Sequence, residues 1–285
     1  MAAAWPGERF DVDAVACFTA GSGAPLLLVH SINATGSIAE VRPLFEHFQT
    51  RRTVFALDLP GFGDSLRGDR HYTPRLMTDA LHAVAAEIRR RCGTAPLDAM
   101  ALSLSCEYLA RAASEAPAQW GRLALVSPTG FNGMGARRGP PGSTRAVPGM
   151  HRLLSVPWWA PALFRGLTRP GVVRYFLERT WGSKGIDEPM YRAALQAAKA
   201  PGARFAPLYF LSGGLFSADI HTVYDALRSP VWVSHGVRGD FTNFRGMALV
   251  AACAGWQRTV YPAGALPYFE GPEDFFADFE RFLAA

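Results

Sequence analysis

The stretch LDAMALSLS, residues 97–105, places a serine where a predicted strand meets a predicted helix. Residues 97–102 form a short apolar run typical of a strand buried on both faces, and helical periodicity follows. A serine on such a sharp turn takes a strained conformation that exposes its hydroxyl, so its near neighbours must be small. Ala101 and Ser105 are small, although neither is the glycine usual at these places. The stretch predicts that Ser103 is a nucleophile; the alternative is a serine that only caps a helix.

Apolar runs alternate with helical patterns on both sides of this turn. One helix is clearly delimited, because Thr73 and Pro74 form an N-cap followed by proline and Gly93 ends the pattern. Strands that alternate with helices predict an α/β fold with a doubly wound, mostly parallel sheet covered on both faces. The predicted core strands lie at residues 25–30, 53–59, 97–102, 123–127, 230–234 and 257–261.

The alternation is interrupted between the fourth and fifth of these core strands. About a hundred residues lie there, whereas one crossover needs roughly 30. The stretch is rich in glycine, proline and aromatic residues and contains several helical patches. We therefore predict a core formed by residues 1–128 and 230–285 and an inserted helical cap at 129–229. Trp158 and Trp159 of this cap are expected to line an apolar cavity above the serine and to contact substrate.

Several motifs of the chain resemble those of the α/β-hydrolase family in order and spacing, over nearly the whole chain except the cap. The resemblance implies that Ser103 is the nucleophile. In that family backbone N–H groups form the oxyanion hole, and by position these belong to Ile32 and Leu104. One departure is His30-Ser31, where the family has His-Gly. The motifs are LLLVHSIN (26–33), DLPGFGDS (58–65), ALSLS (101–105), LALVSP (123–128), PVWVSHG (230–236) and LPYFE (266–270).

The catalytic histidine of that family has no counterpart here. The family's segment resembles Gly-His-x-Pro-x-x-Glu, and GALPYFE (264–270) places Ala265 at the histidine position. No histidine follows His235, so a small shift of alignment does not restore one. In a serine protease, loss of the histidine lowers kcat about a million-fold. Without a base Ser103 is a neutral alcohol that attacks carbonyls poorly, so we expect an incomplete triad.

Two residues after the fifth core strand are candidates for the remaining roles. Asp240 falls at the family's acid position, or it only pairs with Arg238 or caps the next helix. His235 is the candidate substitute base, because sites in such sheets lie at the carboxyl ends of the strands. The resemblance places its strand two positions from the strand of Ser103, which at about 4.8 Å each implies a gap of roughly 10 Å that a bridging water would have to span.

Composition excludes several classes of function. The net charge is +5 with scattered basic residues, which does not favour nucleic-acid binding. The four cysteines lack metal-ligand or CxxC spacing, and no G-x-G-x-x-G follows the first buried strand, so we expect no metal and no organic cofactor. No signal peptide and no membrane-spanning run is recognised, which favours a cytoplasmic protein with reduced thiols.

Three functions are compatible with the sequence. The first is a hydrolase-like enzyme that acts on a small hydrophobic ester or related carbonyl compound through Ser103 and a substitute base. The second is a non-hydrolytic enzyme, such as a lyase, isomerase or cyclase, that keeps the oxyanion hole. The third is a protein on the same fold that binds a small hydrophobic molecule or a partner without catalysis. The resemblance favours the first, since most members of the family are hydrolases.

Overall fold

The computed structural model describes residues 5–285, which form a β-sheet with helices on both faces. The strands are β1 Glu8–Val12, β2 Val15–Ala20, β3 Pro25–Val29, β4 Thr53–Leu57, β5 Leu97–Leu102, β6 Trp120–Val126, β7 Val231–Gly236 and β8 Gln257–Tyr261. Their order is β1-β2-β4-β3-β5-β6-β7-β8. The strand β2 is antiparallel to its neighbours, and all pairs from β4 to β8 are parallel. The predicted doubly wound, mostly parallel sheet is confirmed.

The helices cover both faces of the sheet and explain why its central strands are continuously apolar. They are α1 Arg42–Phe48, α2 Pro74–Cys92, α3 Ser105–Glu115, α4 Met150–Leu154, α5 Ala160–Leu167, α6 Pro170–Trp181, α7 Glu188–Ala197, α8 Phe205–Leu211, α9 Ile220–Asp225, α10 Pro267–Glu270 and α11 Pro272–Ala284. One core contains α2, α3 and α9, and the other contains α1, α10 and α11. The Thr73 hydroxyl accepts the Leu76 N–H at 3.1 Å, which confirms the predicted start of α2.

Two segments differ from the sequence pattern. Residues 9–20, which alternate like a single edge strand, are two antiparallel strands because the chain turns at Asp13, whose φ is 52°. Aspartate tolerates this left-handed conformation better than most residues, so periodicity alone does not mark the turn. The sequence pattern of residues 243–253 predicts one helix, whereas the structure has two short 3₁₀ turns, Arg245–Leu249 and Ala251–Gly255, separated by Val250 in extended conformation.

Residues 129–229, called the insertion below, connect β6 to β7. In the part of the chain that the structure describes, they form helices α4 to α9 and add no strand to the main sheet. The last of these helices packs on the core: α9 contacts α3, and the buried Tyr224 donates its hydroxyl to the Thr129 carbonyl at 3.0 Å. The division of the chain into core and cap stays a prediction, and the packing places α9 with the core.

Candidate active site

Ser103 lies on the turn between β5 and α3 in a left-handed conformation, with φ of 55°. A non-glycine residue in this region is strained, and such strain concentrates at functional sites. The turn is held on both sides: the Ser103 N–H donates to the Val126 carbonyl at 2.8 Å, and the Cys106 N–H donates to the Ser103 carbonyl at 3.1 Å. Its small neighbours Ala101 and Ser105 are fully buried. This is the geometry expected of an exposed nucleophile rather than of a helix cap.

Two backbone N–H groups are available beside this serine. Ile32 and Leu104 line the same cavity as Ser103. Within residues 5–285, neither of their N–H groups donates a hydrogen bond. Unpaired N–H groups next to a serine hydroxyl can stabilise negative charge on a carbonyl oxygen. The structure therefore brings together the three residues that the sequence assigned to nucleophile and oxyanion hole.

The loop that carries Ile32 is fastened by a buried carboxylate. Glu40 accepts the Ser31 N–H at 2.7 Å and the Asn33 side-chain amide at 2.6 Å. Burial raises the pKa of the Glu40 carboxyl above its usual value, whereas neighbouring His30 and these hydrogen bonds act against the rise. Because the two bonds lie on either side of Ile32, they fix the direction of its N–H group.

His30 supports this loop from below and is not available to the serine. Its Nδ1 lies 2.6 Å from the Ser31 carbonyl oxygen, and its Nε2 accepts the Leu59 N–H at 3.0 Å. Because Nε2 accepts an N–H group, the ring proton is on Nδ1, and burial lowers the pKa of the His30 imidazole. The Ser105 hydroxyl donates to the His30 carbonyl at 2.5 Å and ties the loop to the nucleophile turn.

The cavity above Ser103 has a volume of about 340 Å³ and is mostly apolar. Side chains of the insertion form much of its wall, so the insertion covers the carboxyl ends of the strands. Trp158 and Trp159 are not among the lining residues, contrary to the sequence-based expectation: Trp158 is 92% exposed, because it lies on the outer corner between α4 and α5. The wall is formed instead by residues that include Leu167, Val173, Phe176, Leu177, Met190 and Phe216.

Ala265 lies at the wall of this cavity with Ser103, at the position where the resemblance requires a histidine. Its backbone is fixed, since its N–H donates to the Thr180 carbonyl at 2.9 Å and its carbonyl accepts the Ser127 hydroxyl at 2.7 Å. The loop thus curls over the site although its side chain carries no base. None of the cavity-lining residues in the described chain is a histidine.

Asp240 lies outside the cavity and is paired with the insertion. Its carboxylate forms a two-pronged ion pair with the guanidinium of Arg179 on α6, and one of the two contacts measures 2.5 Å. The Asp240 N–H also donates to the Arg179 carbonyl at 3.2 Å. An acid for a triad would face the empty histidine position, whereas this carboxylate faces a cation.

His235 is likewise engaged elsewhere and does not line the cavity. Its Nδ1 lies 2.9 Å from the Gly236 carbonyl oxygen, and its Nε2 accepts from the Arg258 guanidinium at 2.7 Å. The ring stacks on Phe244 with centroids 3.9 Å apart. Burial and the adjacent Arg258 lower the pKa of His235, against the effect of its bond to Gly236. The structure does not bring this candidate substitute base to Ser103.

Sequence reasoning missed three polar groups at the site. Besides Glu40, Thr129 lines the cavity and donates its hydroxyl to the buried Glu107 carboxylate at 2.5 Å. Ser127, also at the cavity, has a φ of 47° and is the second strained serine there. A lone acid within an apolar helical pattern is the signal that could have found Glu40 and Glu107. Ser127 carries no such signal, because strain depends on the tertiary fold.

The site combines a strained serine between strand and helix with two residues whose backbone N–H groups are unpaired. It lies in a covered cavity at the carboxyl edge of a doubly wound sheet. This combination is typical of an α/β-hydrolase site. The chain belongs to the alpha/beta hydrolase family, whose model matches residues 26–279. A search of curated proteins finds no match in sequence.

Solved structures of similar fold include several hydrolases. A serine hydrolase involved in carbazole degradation has a TM-score of 0.73 at 17% identity, with 99% of each chain covered. The 2-hydroxy-6-oxo-6-phenylhexa-2,4-dienoate hydrolase from Rhodococcus sp. strain RHA1 has a TM-score of 0.72 at 17% identity, covering 97% of this chain and 98% of the other. The enol-lactonase from Burkholderia xenovorans LB400 has a TM-score of 0.69 at 15% identity, covering 98% and 100%. At these identities the likeness shows the fold.

Two further features of the described residues concern membrane-spanning helices and metal-binding side chains. No helix among residues 5–285 combines the length and the apolar character required to cross a membrane. In the same range, no group of three or more histidine, cysteine, aspartate or glutamate side chains is placed to hold a metal ion.

Proposed function

We propose that the protein takes a small apolar ester or related carbonyl compound into the cavity and reacts with it through Ser103 without an imidazole base. The observation that carries this proposal is the shared cavity of Ser103 and the free N–H groups of Ile32 and Leu104. A carbonyl oxygen bound to both N–H groups would place its carbon against the serine hydroxyl. The apolar wall selects an apolar acyl group, since a charged one would lose its hydration there.

The missing base limits the reaction to carbonyl compounds that are already activated. The hydroxyl of Ser103 must lose its proton as it attacks, and no histidine of the described chain lines the cavity to accept it. In a serine protease the oxyanion hole and substrate binding alone still leave a residual acceleration of about 10³–10⁴ over water. We therefore expect slow acylation by esters with good leaving groups and little turnover of ordinary esters.

A non-hydrolytic role is the second candidate, and one observation favours it. The carboxylate at the acid position, Asp240, is held in an ion pair by Arg179 and does not line the cavity. A site that has lost both the base and the orientation of its acid retains only the capacity to bind and polarise a carbonyl. Binding of an apolar carbonyl compound, or a lyase or isomerase reaction on one, requires no more than this.

Incubation with p-nitrophenyl butyrate distinguishes the two candidates. Under the first proposal p-nitrophenolate is released slowly, a butyryl group accumulates on Ser103 in the intact mass spectrum, and Ser103→Ala abolishes both. If Ser103→Ala releases p-nitrophenolate as fast as the wild type and no adduct forms, Ser103 is not the reacting group. Saturable binding of butyrophenone in both proteins would then support the non-hydrolytic candidate.

A further inference from the structure

The outer surface of the insertion is unusually apolar. Of the twelve large hydrophobic side chains that are exposed in the described residues, eight belong to the insertion, which is about a third of the chain. Six of the eight have no place in the cavity wall: Met134, Val147, Leu153, Trp158, Trp159 and Tyr175. A tryptophan that is 92% exposed is costly to keep in water, and exposed apolar patches of this kind mark surfaces that bind something.

Four of these side chains lie in one short corner, residues 147–159, called the tryptophan corner below. The corner is folded on itself: the Trp159 indole N–H donates to the Leu153 carbonyl at 2.9 Å, and the Trp159 backbone N–H donates to the Val156 carbonyl at 3.2 Å. Trp158 consequently points away from the helices while its neighbour is anchored. The corner presents apolar side chains on a fixed backbone.

The same part of the chain is positively charged. The insertion contains thirteen basic and five acidic residues, a net charge of +8, whereas the whole chain carries +5. No aspartate or glutamate occurs between Glu115 and Glu178, and the insertion has seven arginines in that interval. Arg152 lies in the tryptophan corner, Arg165 and Arg169 follow it in the chain, and none of the three forms an ion pair within residues 5–285.

We propose that the tryptophan corner docks on the surface of an anionic lipid bilayer. Tryptophan prefers the interface between water and hydrocarbon, where its indole ring meets both environments. Unpaired arginines beside it would attract anionic headgroups. A second copy of this chain fits the face less well, because two such surfaces would bring like charges together. Nucleic acid fits less well too, since Val147 and Leu153 offer it only aliphatic surface.

Sedimentation with vesicles tests this proposal. Vesicles of phosphatidylcholine with about 30% phosphatidylglycerol should bind the protein at low salt, and vesicles of phosphatidylcholine alone should bind it weakly. Replacement of Arg152, Arg165 and Arg169 by glutamine should weaken binding on the order of a hundredfold, because each basic residue near an anionic surface contributes about fivefold. Trp158→Ala should weaken it about tenfold.

The matched control removes the same charge at positions outside the tryptophan corner. Arg70, Arg228 and Arg245 are exposed and form no ion pair in the described chain, so their replacement by glutamine lowers the net charge equally. This control should bind almost as tightly as the wild type. All the substituted side chains are exposed, so the melting temperatures should stay close to that of the wild type.

Three results would overturn the proposal. Equal weakening by the control variant would mean that binding depends on net charge and not on this face. A dimer in solution that Trp158→Ala converts to monomer, without vesicle binding, would identify a second copy as the occupant. Binding of a single-stranded DNA oligonucleotide, again without vesicle binding, would identify a nucleic-acid surface.

Discussion

Single residues decide what this site can do. Ser103 lies on a strained turn at the cavity, Ala265 lines the cavity without a side-chain base, and Arg179 holds the carboxylate of Asp240. Ser103 could be placed from the strand-to-helix turn, and Ile32 and Leu104 could be placed because the resemblance to the α/β-hydrolase family assigns these positions. The partner of Asp240 could not, since Arg179 lies 61 positions away in a helix whose docking no local pattern specifies.

The buried carboxylate of Glu40 is expected to set the oxyanion hole. Glu40→Gln keeps the size of the side chain but replaces one of its two acceptor oxygens by an amide donor, so either Ser31 or Asn33 loses its partner. A lost bond to a buried charged group costs about 1–3 kcal/mol, and the Ile32 N–H should shift. Binding of an alkyl boronic acid, whose adduct with Ser103 places an oxygen in the hole, should weaken about tenfold or more.

The matched control for this variant is Glu46→Gln, which changes an exposed carboxylate paired with Arg42 on α1. Boronic acid affinity should be unchanged in it. Fluorescence titration of both variants measures the effect, and the melting temperature shows whether the Glu40 variant remains folded. Unchanged affinity in a folded Glu40→Gln protein would mean that the loop holds its shape without this carboxylate.

At the scale of elements, the insertion forms the wall of the cavity through α5, α6, α7 and α8. The sequence predicts that helices cover the site, because about a hundred residues with several helical patches lie between two consecutive core strands. It does not predict which aromatic residues face inward. Trp158 and Trp159 follow the helical patch of α4, but the chain turns there and directs Trp158 to the surface. The direction of such a corner depends on how α4 packs on α8.

The contribution of α7 to the cavity can be measured with one pair of variants. Ala194 is buried and lines the cavity, whereas Ala193, next to it on the same helix, does not line it. Ala194→Leu should fill part of the cavity and weaken the binding of butyrophenone at least about tenfold. Ala193→Leu adds the same volume outside and should leave binding unchanged, as measured by isothermal titration calorimetry. Equal affinities in the two folded variants would mean that ligand does not occupy this cavity.

For the whole molecule, the mostly parallel sheet follows from the sequence and the distribution of charge does not. The buried strands are continuous apolar runs, so their number and direction could be predicted from residues 25–127 and 230–261. The basic residues look scattered along the chain, yet the insertion alone carries a charge of +8. The exposed Trp158 belongs to the same segment of the chain.

We expect the cavity to be a hydrolase site that lacks only a base and an acid free to orient that base. Ala265→His alone would lack an acid to fix its tautomer, because Asp240 is bound to Arg179. The double variant Ala265→His, Arg179→Gln removes that competitor. Its kcat/KM for p-nitrophenyl butyrate should exceed that of the wild type by about two orders of magnitude or more.

The decisive measurement is this kcat/KM in four proteins: the wild type, Arg179→Gln, the double variant, and the double variant with Ser103→Ala. We predict that only the double variant gains activity and that Ser103→Ala abolishes the gain. If the folded double variant is no more active than the wild type, Ala265 does not occupy the place of a base for Ser103. The cavity is then not a hydrolase site that lacks only a base and an oriented acid.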